Sequence, residues 1–152
     1  MKTIKIIEYD AKYSTRIYDF IVQIRLNELG WKSEPDDLKK IPEIYMAKNG
    51  SFWIALIDDR VVGTIALEDL ENNQGYLQRM YLDEKYRGTG LADKLLNTLL
   101  SFAKRKNYKE IFLGTTTEAQ RAIRFYEKNN FKRIPCLPFE EDKDDVFFKM
   151  EL

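Results

Sequence analysis

The segment from Tyr81 to Ala92 constrains the fold of this chain more than any other. It leads from an apolar strand, through a short turn that contains Gly88 and Gly90, into a long amphipathic helix. Glycine allows left-handed backbone conformations, and the first N–H groups of a helix have no partner within that helix. Such N–H groups, together with the helix dipole, bind phosphate. We therefore expect a phosphate-bearing ligand at this turn.

The composition is that of one globular domain. Of the 152 residues, 44% are hydrophobic and 33% are charged, and we predict a single domain over residues 1–152. The 25 basic and 25 acidic residues give zero net charge, so no basic surface predicts nucleic-acid binding. No apolar run approaches the roughly 20 residues of a membrane span, and the N-terminus reads as a strand rather than a signal peptide. We expect neither a nucleic acid nor a membrane as partner.

Two residue types limit the chemistry. The single cysteine, Cys136, excludes an internal disulfide and suits a reducing compartment, so we predict a cytoplasmic protein. The absence of histidine removes the commonest metal ligand and the usual general base. We predict no metal, and we expect Cys136 to be inert because it has no histidine to activate it.

Hydrophobic periodicity predicts strands first and helices later. A strand at 3–9 precedes a helix at 15–29, with Ser14 as its N-cap and Gly30 as its C-terminal stop, and a short helix follows from Pro35 until Pro42 interrupts it. A three-stranded antiparallel meander then occupies residues 51–57, 61–70 and 76–82.

The second half of the chain predicts a parallel crossover. Leucines at helical spacing indicate a helix at 89–106, which is followed by a strand at 111–115 and a helix at 118–128 that closes at Asn129-Asn130. A final hairpin pairs residues 131–134 with 146–152, across an acidic linker at 140–145.

Two motifs resemble those of a known family. The stretch Arg87-Gly88-Thr89-Gly90-Leu91-Ala92 matches Gln/Arg-x-x-Gly-x-Gly/Ala, and the stretch from Ala122 to Phe131 is similar to Ala-x-x-x-Tyr-Glu-Lys-x-Gly-Phe. The chain thus resembles the GNAT superfamily of acetyl-CoA-dependent N-acetyltransferases. It departs at Asn130, where that signature has glycine, and at Ala119, where an asparagine that often helps to hold the cofactor commonly stands.

The resemblance implies both a fold and a reaction. The fold is α/β of the α+β type, with a mixed, mainly antiparallel sheet of six to seven strands, helices on both faces and one parallel β-α-β crossover at the cofactor site. The reaction moves an acetyl group from acetyl-CoA to the primary amine of a small molecule, amino-acid-like or polyamine-like, by direct attack on the thioester. Two alternatives are a non-catalytic acyl-CoA-binding sensor and a protein or peptide N-acetyltransferase. A P-loop enzyme is disfavoured because no Gly-Lys-Ser/Thr follows the turn.

The resemblance also implies which residues hold the cofactor. The strand before the turn would pair through its backbone with the pantetheine arm, and one N–H there would polarise the thioester carbonyl. The turn and first helical residues would bind the diphosphate, with Arg87 adding a charge-assisted contact. The residues concerned are Met80, Tyr81, Leu82, Arg87, Gly88, Thr89, Gly90, Leu91, Ala92 and Lys128.

Tyr126 of the second motif is the predicted catalytic residue. The departing thiolate needs a proton or a hydrogen bond, and a phenol of pKa ~10 facing a thiol of ~8.5 serves best as a hydrogen-bond donor. The base that deprotonates the amine stays open among Glu28, Glu68, Glu118 and a water chain.

The acceptor has no motif of its own. Trp31, Glu34 and Asp36 lie between the first two helices, where the family admits the acceptor. The acidic linker at 140–145 has two interpretations, a solvated loop or a surface that attracts a cationic amine. The identity of the amine stays open, and a homodimer is suggested only by its frequency in the family.

Overall fold

The protein folds around one seven-stranded mixed sheet, with the strand order β1-β2-β3-β4-β5-β7-β6. The structure is a computed structural model, and it describes residues 3–139 and 146–152. The strands are β1 Lys5–Glu8, β2 Ser51–Ile57, β3 Arg60–Asp69, β4 Gln74–Leu82, β5 Glu110–Thr115, β6 Lys132–Ile134 and β7 Val146–Glu151. The helices are α1 Ser14–Leu29, α2 Leu91–Arg105 and α3 Gln120–Lys128. The predicted fold class is confirmed.

The predicted meander forms the larger part of the sheet. Strands β1 to β4 pair antiparallel in sequence order, and β2 turns into β3 at Asp58 and Asp59. Both aspartates have positive φ values, 49° and 63°, which a two-residue hairpin turn of this hand requires. After β4 the chain crosses through α2 and returns as β5, which pairs parallel with β4. The predicted parallel crossover is therefore confirmed.

The two faces of the sheet carry different helices. On one face, α2 and α3 pack on a cluster that includes Leu67 of β3 and Leu77 of β4. On the opposite face, α1 and the chain that follows it cover Phe52, Ile54 and Ala66. Side chains of a strand alternate between faces, so successive residues of β3 serve the two clusters in turn. The face beneath α2 and α3 is called the helix-pair face below, and the other the α1 face.

Helix α1 differs in detail from its prediction. Ser14 is not the N-cap, since a 3₁₀ turn at Ala11–Tyr13 leads directly into the helix, and the Asp10 side chain accepts from the Lys12 N–H instead. Gly30 does end the helix, in the left-handed conformation with φ of 67°. The side chains that α1 buries are Ile17, Ile21 and Arg25, whereas Leu26 is 43% exposed.

The predicted short helix is two separate turns. A 3₁₀ turn covers Asp36–Lys39, and a π-helical turn covers Pro42–Met46, so Pro42 begins the second turn as well as ending the first segment. Asn130 adopts the expected left-handed conformation after α3, with φ of 71°. The closing hairpin of β6 and β7 is present, and the linker at 140–145 lies outside the described residues. No helix within residues 3–139 and 146–152 has the length and apolar character needed to cross a membrane.

Candidate active site

Strands β4 and β5 diverge halfway along their length. Their ladder runs from Gln74 opposite Glu110 to Tyr76 opposite Phe112, and no later pair joins them among the described residues. Strand β4 nevertheless continues to Leu82, and β5 continues to Thr115 while pairing with β7 on its other side. Main-chain N–H and C=O groups on this side of β4 therefore border a gap rather than a neighbouring strand. Such a gap admits an extended ligand that hydrogen-bonds like an added strand.

A β-bulge interrupts β4 beside this gap. The register with β3 shifts between Thr64 and Ala66, where β4 has one residue more than β3. The extra residue is accommodated at Arg79, whose φ is +54°, an unusual value for a side chain of this size. The buried Thr64 hydroxyl donates to the Arg79 carbonyl oxygen at 2.7 Å, which fixes the bulge from the β3 side.

The Arg79 side chain is held by a polar network on the α1 face. Its Nε donates to Oδ2 of Asp37 at 2.9 Å, and one Nη donates to Oδ1, so the pair is bidentate. The same carboxylate accepts the Tyr45 hydroxyl at 2.6 Å, while Nη1 of Arg79 lies 3.4 Å from the Tyr81 hydroxyl. Asp37 and Arg79 are each 19% exposed. The network ties both short helical turns to the bulge.

The ionisation of this network follows from its contacts. Burial by itself raises the pKa of Asp37, but the hydrogen bonds and the charge of Arg79 outweigh burial and lower the net pKa below its usual value. Burial and the neighbouring Asp37 carboxylate raise the pKa of the Tyr45 phenol, which therefore remains a hydrogen-bond donor. Asp37 is thus anionic and Tyr45 neutral over the physiological range.

The glycine turn lies at the end of β4 and opens α2. Gly88 and Gly90 have φ values of +76° and +88°, so the turn requires glycine at both positions. A Cβ built on either would meet nothing within 4 Å, which leaves room for a ligand against the backbone. Gly90 is the N-cap of α2, so no side chain caps the first N–H groups of that helix. The turn fits the predicted diphosphate.

Arg87 of this turn has a partner that the sequence did not suggest. Its guanidinium donates to the carboxylate of Glu28, which lies in the last turn of α1. Arg121 at the start of α3 approaches the same carboxylate, with 4.0 Å between Nη1 and Oε1. Glu28 therefore links α1, the glycine turn and α3, and it occupies the cations that would otherwise face a diphosphate.

Tyr126 reaches β4 from the helix-pair face. It is 7% exposed, packs against Phe131 and Phe148, and its hydroxyl lies 3.6 Å from the Met80 sulfur. Met80 is the residue next to the bulge at Arg79, so the predicted phenol lies beside the predicted backbone site. The structure brings these two predicted residues together.

The three carboxylates considered as a base lie in different surroundings. Glu28 pairs with two arginines, and Glu118 is exposed in the loop before α3. Glu68 lies on β3 opposite Tyr76 of β4, close enough to Asp37 to interact electrostatically. Burial, and to a lesser extent Asp37, raise the pKa of Glu68, against an opposing effect of Lys48. A raised pKa suits a base that works near neutral pH, which favours Glu68 for this role.

The other predicted residues take more peripheral positions. Leu91 is buried in the core, so only its backbone is available to a ligand, and Lys128 is exposed at the end of α3. Ala119 is the N-cap of α3 and supplies no side-chain cap. Glu34 and Asp36 form surface ion pairs with Lys39, at 3.5 and 4.0 Å.

A cavity of about 830 Å³ lies outside the gap, between α1 and the β2–β3 turn. Its lining is rich in carboxylates, which does not suit a diphosphate; these are Asp19, Glu28, Asp58, Asp59, Asp83 and Glu84. Within residues 3–139 and 146–152, no group of three or more acidic or cysteine side chains could hold a metal ion.

Sequence reasoning missed the residues that shape the α1 face of the site. Asp37, not its neighbour Asp36, contacts the bulge, and Arg79 and Tyr45 complete the network. Arg25 is a buried charge that was also overlooked. It follows Ile17 and Ile21 at intervals of four residues, so a cation on the buried side of α1 was a signal available in the sequence.

A sheet that splays at a bulge, next to a glycine turn at a helix N-terminus, defines an acetyltransferase fold. Residues 17–131 match the model of the Acetyltransferase (GNAT) family. The chain belongs to this family, which confirms the class predicted from its motifs.

Solved structures agree with this assignment over the whole chain. A GNAT-family acetyltransferase from Staphylococcus aureus Mu50 is 34% identical, with a TM-score of 0.92 and coverage of 98% of this chain and 99% of that one. An acetyltransferase from Streptococcus agalactiae 2603 is 28% identical, with a TM-score of 0.91 and 98% coverage of both chains. The PaiA N-acetyltransferase of Thermoplasma acidophilum, solved with coenzyme A, shares the fold at 19% identity and a TM-score of 0.74, covering 99% of both.

Curated relatives match a shorter segment. N-acetylaspartate synthetase of Xenopus tropicalis is 39% identical over 100 residues, which are 64% of this chain and 37% of that protein. Human N-acetyltransferase 8B is 33% identical over 103 residues, which are 64% of this chain and 45% of that protein. The match therefore spans less than half the length of either relative.

The Asp37–Arg79 pair should stabilise the fold in a pH-dependent way. Because the pKa of Asp37 is lower in the folded chain than in the unfolded chain, its contribution is complete above the unfolded value and is lost as the pH falls through the folded value. Asp37→Asn should lower the free energy of unfolding by about 1.5–3 kcal/mol at neutral pH, and the difference should vanish in acid. Urea unfolding of both proteins, from neutral to acid pH, measures this difference in the free energy of unfolding.

Asp36→Asn is the matched control, since Asp36 forms only an exposed ion pair. Its effect should stay within about 0.5 kcal/mol at every pH. Equal losses for the two variants at neutral pH would contradict the role given to Asp37.

Proposed function

We propose that the protein transfers an acetyl group from acetyl-CoA to the primary amine of a small molecule, by direct attack of the amine on the thioester. The observation that carries this proposal is the gap between β4 and β5, which begins beside the bulge and leads to the glycine turn. The names of two relatives, N-acetylaspartate synthetase and N-acetyltransferase 8B, support acetylation of a small amine.

The residues around the gap suit the parts of that reaction. Bound acetyl-CoA supplies the activated acetyl group. Main-chain groups of Met80 to Leu82 border the gap and can hold an extended ligand, and N–H groups there stabilise negative charge on a carbonyl oxygen. The N–H groups at Gly88 and Gly90 donate hydrogen bonds to the diphosphate oxygens, and the dipole of α2 favours the negative charge of the diphosphate.

The base and the hydrogen-bond donor of the reaction lie on opposite faces of the sheet. Glu68, on the α1 face, accepts the proton that the substrate ammonium must lose before its nitrogen can attack. Tyr126, on the helix-pair face, has its hydroxyl 3.6 Å from the Met80 sulfur, beside the gap, and donates a hydrogen bond to the thioester sulfur of CoA as the carbon–sulfur bond breaks. The second proton, lost by the nitrogen as the amide forms, passes to the departing thiolate, so that CoA leaves as the thiol. The amine then enters from the α1 face, since α2 and α3 cover the other.

Cofactor binding is the first test. Calorimetry should detect acetyl-CoA and CoA with dissociation constants below about 1 mM, and Glu28→Gln should tighten both by roughly two- to tenfold, since it releases Arg87 and Arg121 from a competing carboxylate. Glu127→Gln, which removes a carboxylate paired only with Arg133 at 4.0 Å, is the control and should change neither constant. Wild-type protein that binds neither ligand would contradict the proposal.

Tyr126 should govern the rate rather than binding. Tyr126→Phe should lower kcat about 10²–10⁴-fold, with the dissociation constant for CoA unchanged. Thiol release measured over a panel of amines reports the rate. Tyr13→Phe is the control, because it removes a hydroxyl that donates to Asp59 away from the gap. A loss of kcat below threefold would remove Tyr126 from the mechanism. If the wild-type protein binds CoA but acetylates no amine of the panel, a non-catalytic sensor is favoured.

Glu68 should set the acid side of the pH profile. Because burial raises the pKa of Glu68 above the usual value of a glutamate, kcat/KM should fall as the pH drops through an apparent pKa higher than that usual value. Glu68→Gln should lower kcat/KM about 10²–10⁴-fold and abolish this acid limb. Glu118→Gln changes an exposed carboxylate in the loop before α3 and should leave the profile unchanged. Retention of the limb in Glu68→Gln would exclude Glu68 as the base.

A further inference from the structure

Arg25 is a buried cation without an anionic partner. Its residue is 4% exposed, yet neither Nε nor Nη1 has a hydrogen-bond partner, and no carboxylate among the described residues pairs with it. Within residues 3–139 and 146–152, its guanidinium donates a hydrogen bond from Nη2 to the Ser33 hydroxyl at 3.0 Å and lies 5.4 Å from the centre of the Trp31 ring. An unpaired charge removed from water is costly, so an anion that completes it would bind strongly.

Two elements connect Arg25 to the candidate site. It lies on the buried side of α1, a helix that packs against β3 and β4, and it precedes by about one turn Glu28, which contacts the glycine turn. The connection whose Trp31 and Ser33 contact Arg25 continues to Asp37 at the bulge. Arg25 is therefore on the α1 face, the face from which the amine enters in the proposed function.

The chemistry of the guanidinium selects the anion. Nε and Nη1 of Arg25 are buried and have no hydrogen-bond partner among the described residues, so a carboxylate reaches them only by displacing the connection that carries Trp31 and Ser33. The planar guanidinium matches the two oxygens of a carboxylate. The Trp31 ring, 5.4 Å from the guanidinium, restricts its movement, which reduces the entropy lost when an anion binds.

We propose that Arg25 binds a carboxylate of the acceptor, so that the amines acetylated by this protein are amino acids rather than polyamines. This inference rests on the proposed function for its acceptor site. Arg25 acts as a specificity-determining residue, and its interaction with the carboxylate fixes the distance between that group and the amine.

The kinetic test compares acceptors that differ only in one carboxylate. With saturating acetyl-CoA, thiol release is measured for L-alanine against L-alaninamide and for L-aspartate against L-asparagine. At least one acid should be preferred over its amide, and Arg25→Met should reduce that preference about 10- to 100-fold, mainly through KM. Arg25→Lys keeps the positive charge but loses the planar guanidinium, so its preference for the acid should lie between those of wild type and Arg25→Met. Arg105→Met, an exposed arginine at the end of α2, should match wild type.

A binding test is independent of turnover. Succinate carries two carboxylates and no amine, and it should raise the Tm of the wild-type protein more than sodium chloride of equal ionic strength. This rise should be absent in Arg25→Met and reduced in Arg25→Lys. Without succinate, Arg25→Met should be as stable as wild type or more stable, because it removes an unpaired buried charge. If Arg25→Met does not fold, the test compares the rise in Tm with succinate between the wild-type protein and Arg25→Lys.

The possible results separate this inference from the proposed function. If acids and amides lose rate equally in Arg25→Met, or if that variant weakens CoA binding instead, the role of Arg25 is wrong while acetyl transfer stands. If no amine is acetylated but succinate still stabilises only proteins that keep Arg25, the carboxylate site stands and the proposed function fails.

Discussion

The site depends on one constraint, the end of the hydrogen-bonded ladder between β4 and β5 after Tyr76 and Phe112. A central strand normally satisfies its main chain on both sides, and polar groups left without partners are costly. Here β5 leaves β4 after Phe112 and continues to pair with β7 up to Thr115. The main chain of β4 beyond the ladder is thus available to a ligand, and every proposed role follows from its position relative to that gap.

The bulge at Arg79 explains how the gap stays in shape. A residue of this type at φ of +54° is strained, and strain persists only where surrounding contacts enforce it. Thr64 holds the carbonyl from β3, and Asp37 holds the side chain from the first short turn. Tyr45 joins the second short turn to the same carboxylate. The segment after α1 therefore covers part of the α1 face and also fixes the backbone next to the gap.

Sequence reasoning succeeded where structure is local. The meander, the turn at Gly88 and Gly90, and the helices that follow it depend on periodicity and on φ values that only a few residues adopt readily. The bulge network was not predictable, because Asp37 and Arg79 are 42 residues apart and no pattern marks such a pair. The partner of Arg87 was missed for the same reason, since Glu28 lies 59 residues away. Motifs thus indicated the donor side of the site, while long-range contacts define the acceptor side.

This division has a physical basis. A diphosphate is recognised by main-chain N–H groups, whose position requires glycine at fixed spacing and therefore leaves a readable motif. An acceptor is recognised by side chains that separate elements bring together, and several arrangements can serve equally well. The buried Arg25 stands apart, because a cation on the apolar side of a helix conflicts with the local pattern. Such a conflict between local pattern and burial is expected where function, rather than folding, has selected the residue. The identity of the acceptor is therefore better sought in residues that violate the folding pattern than in those that satisfy it.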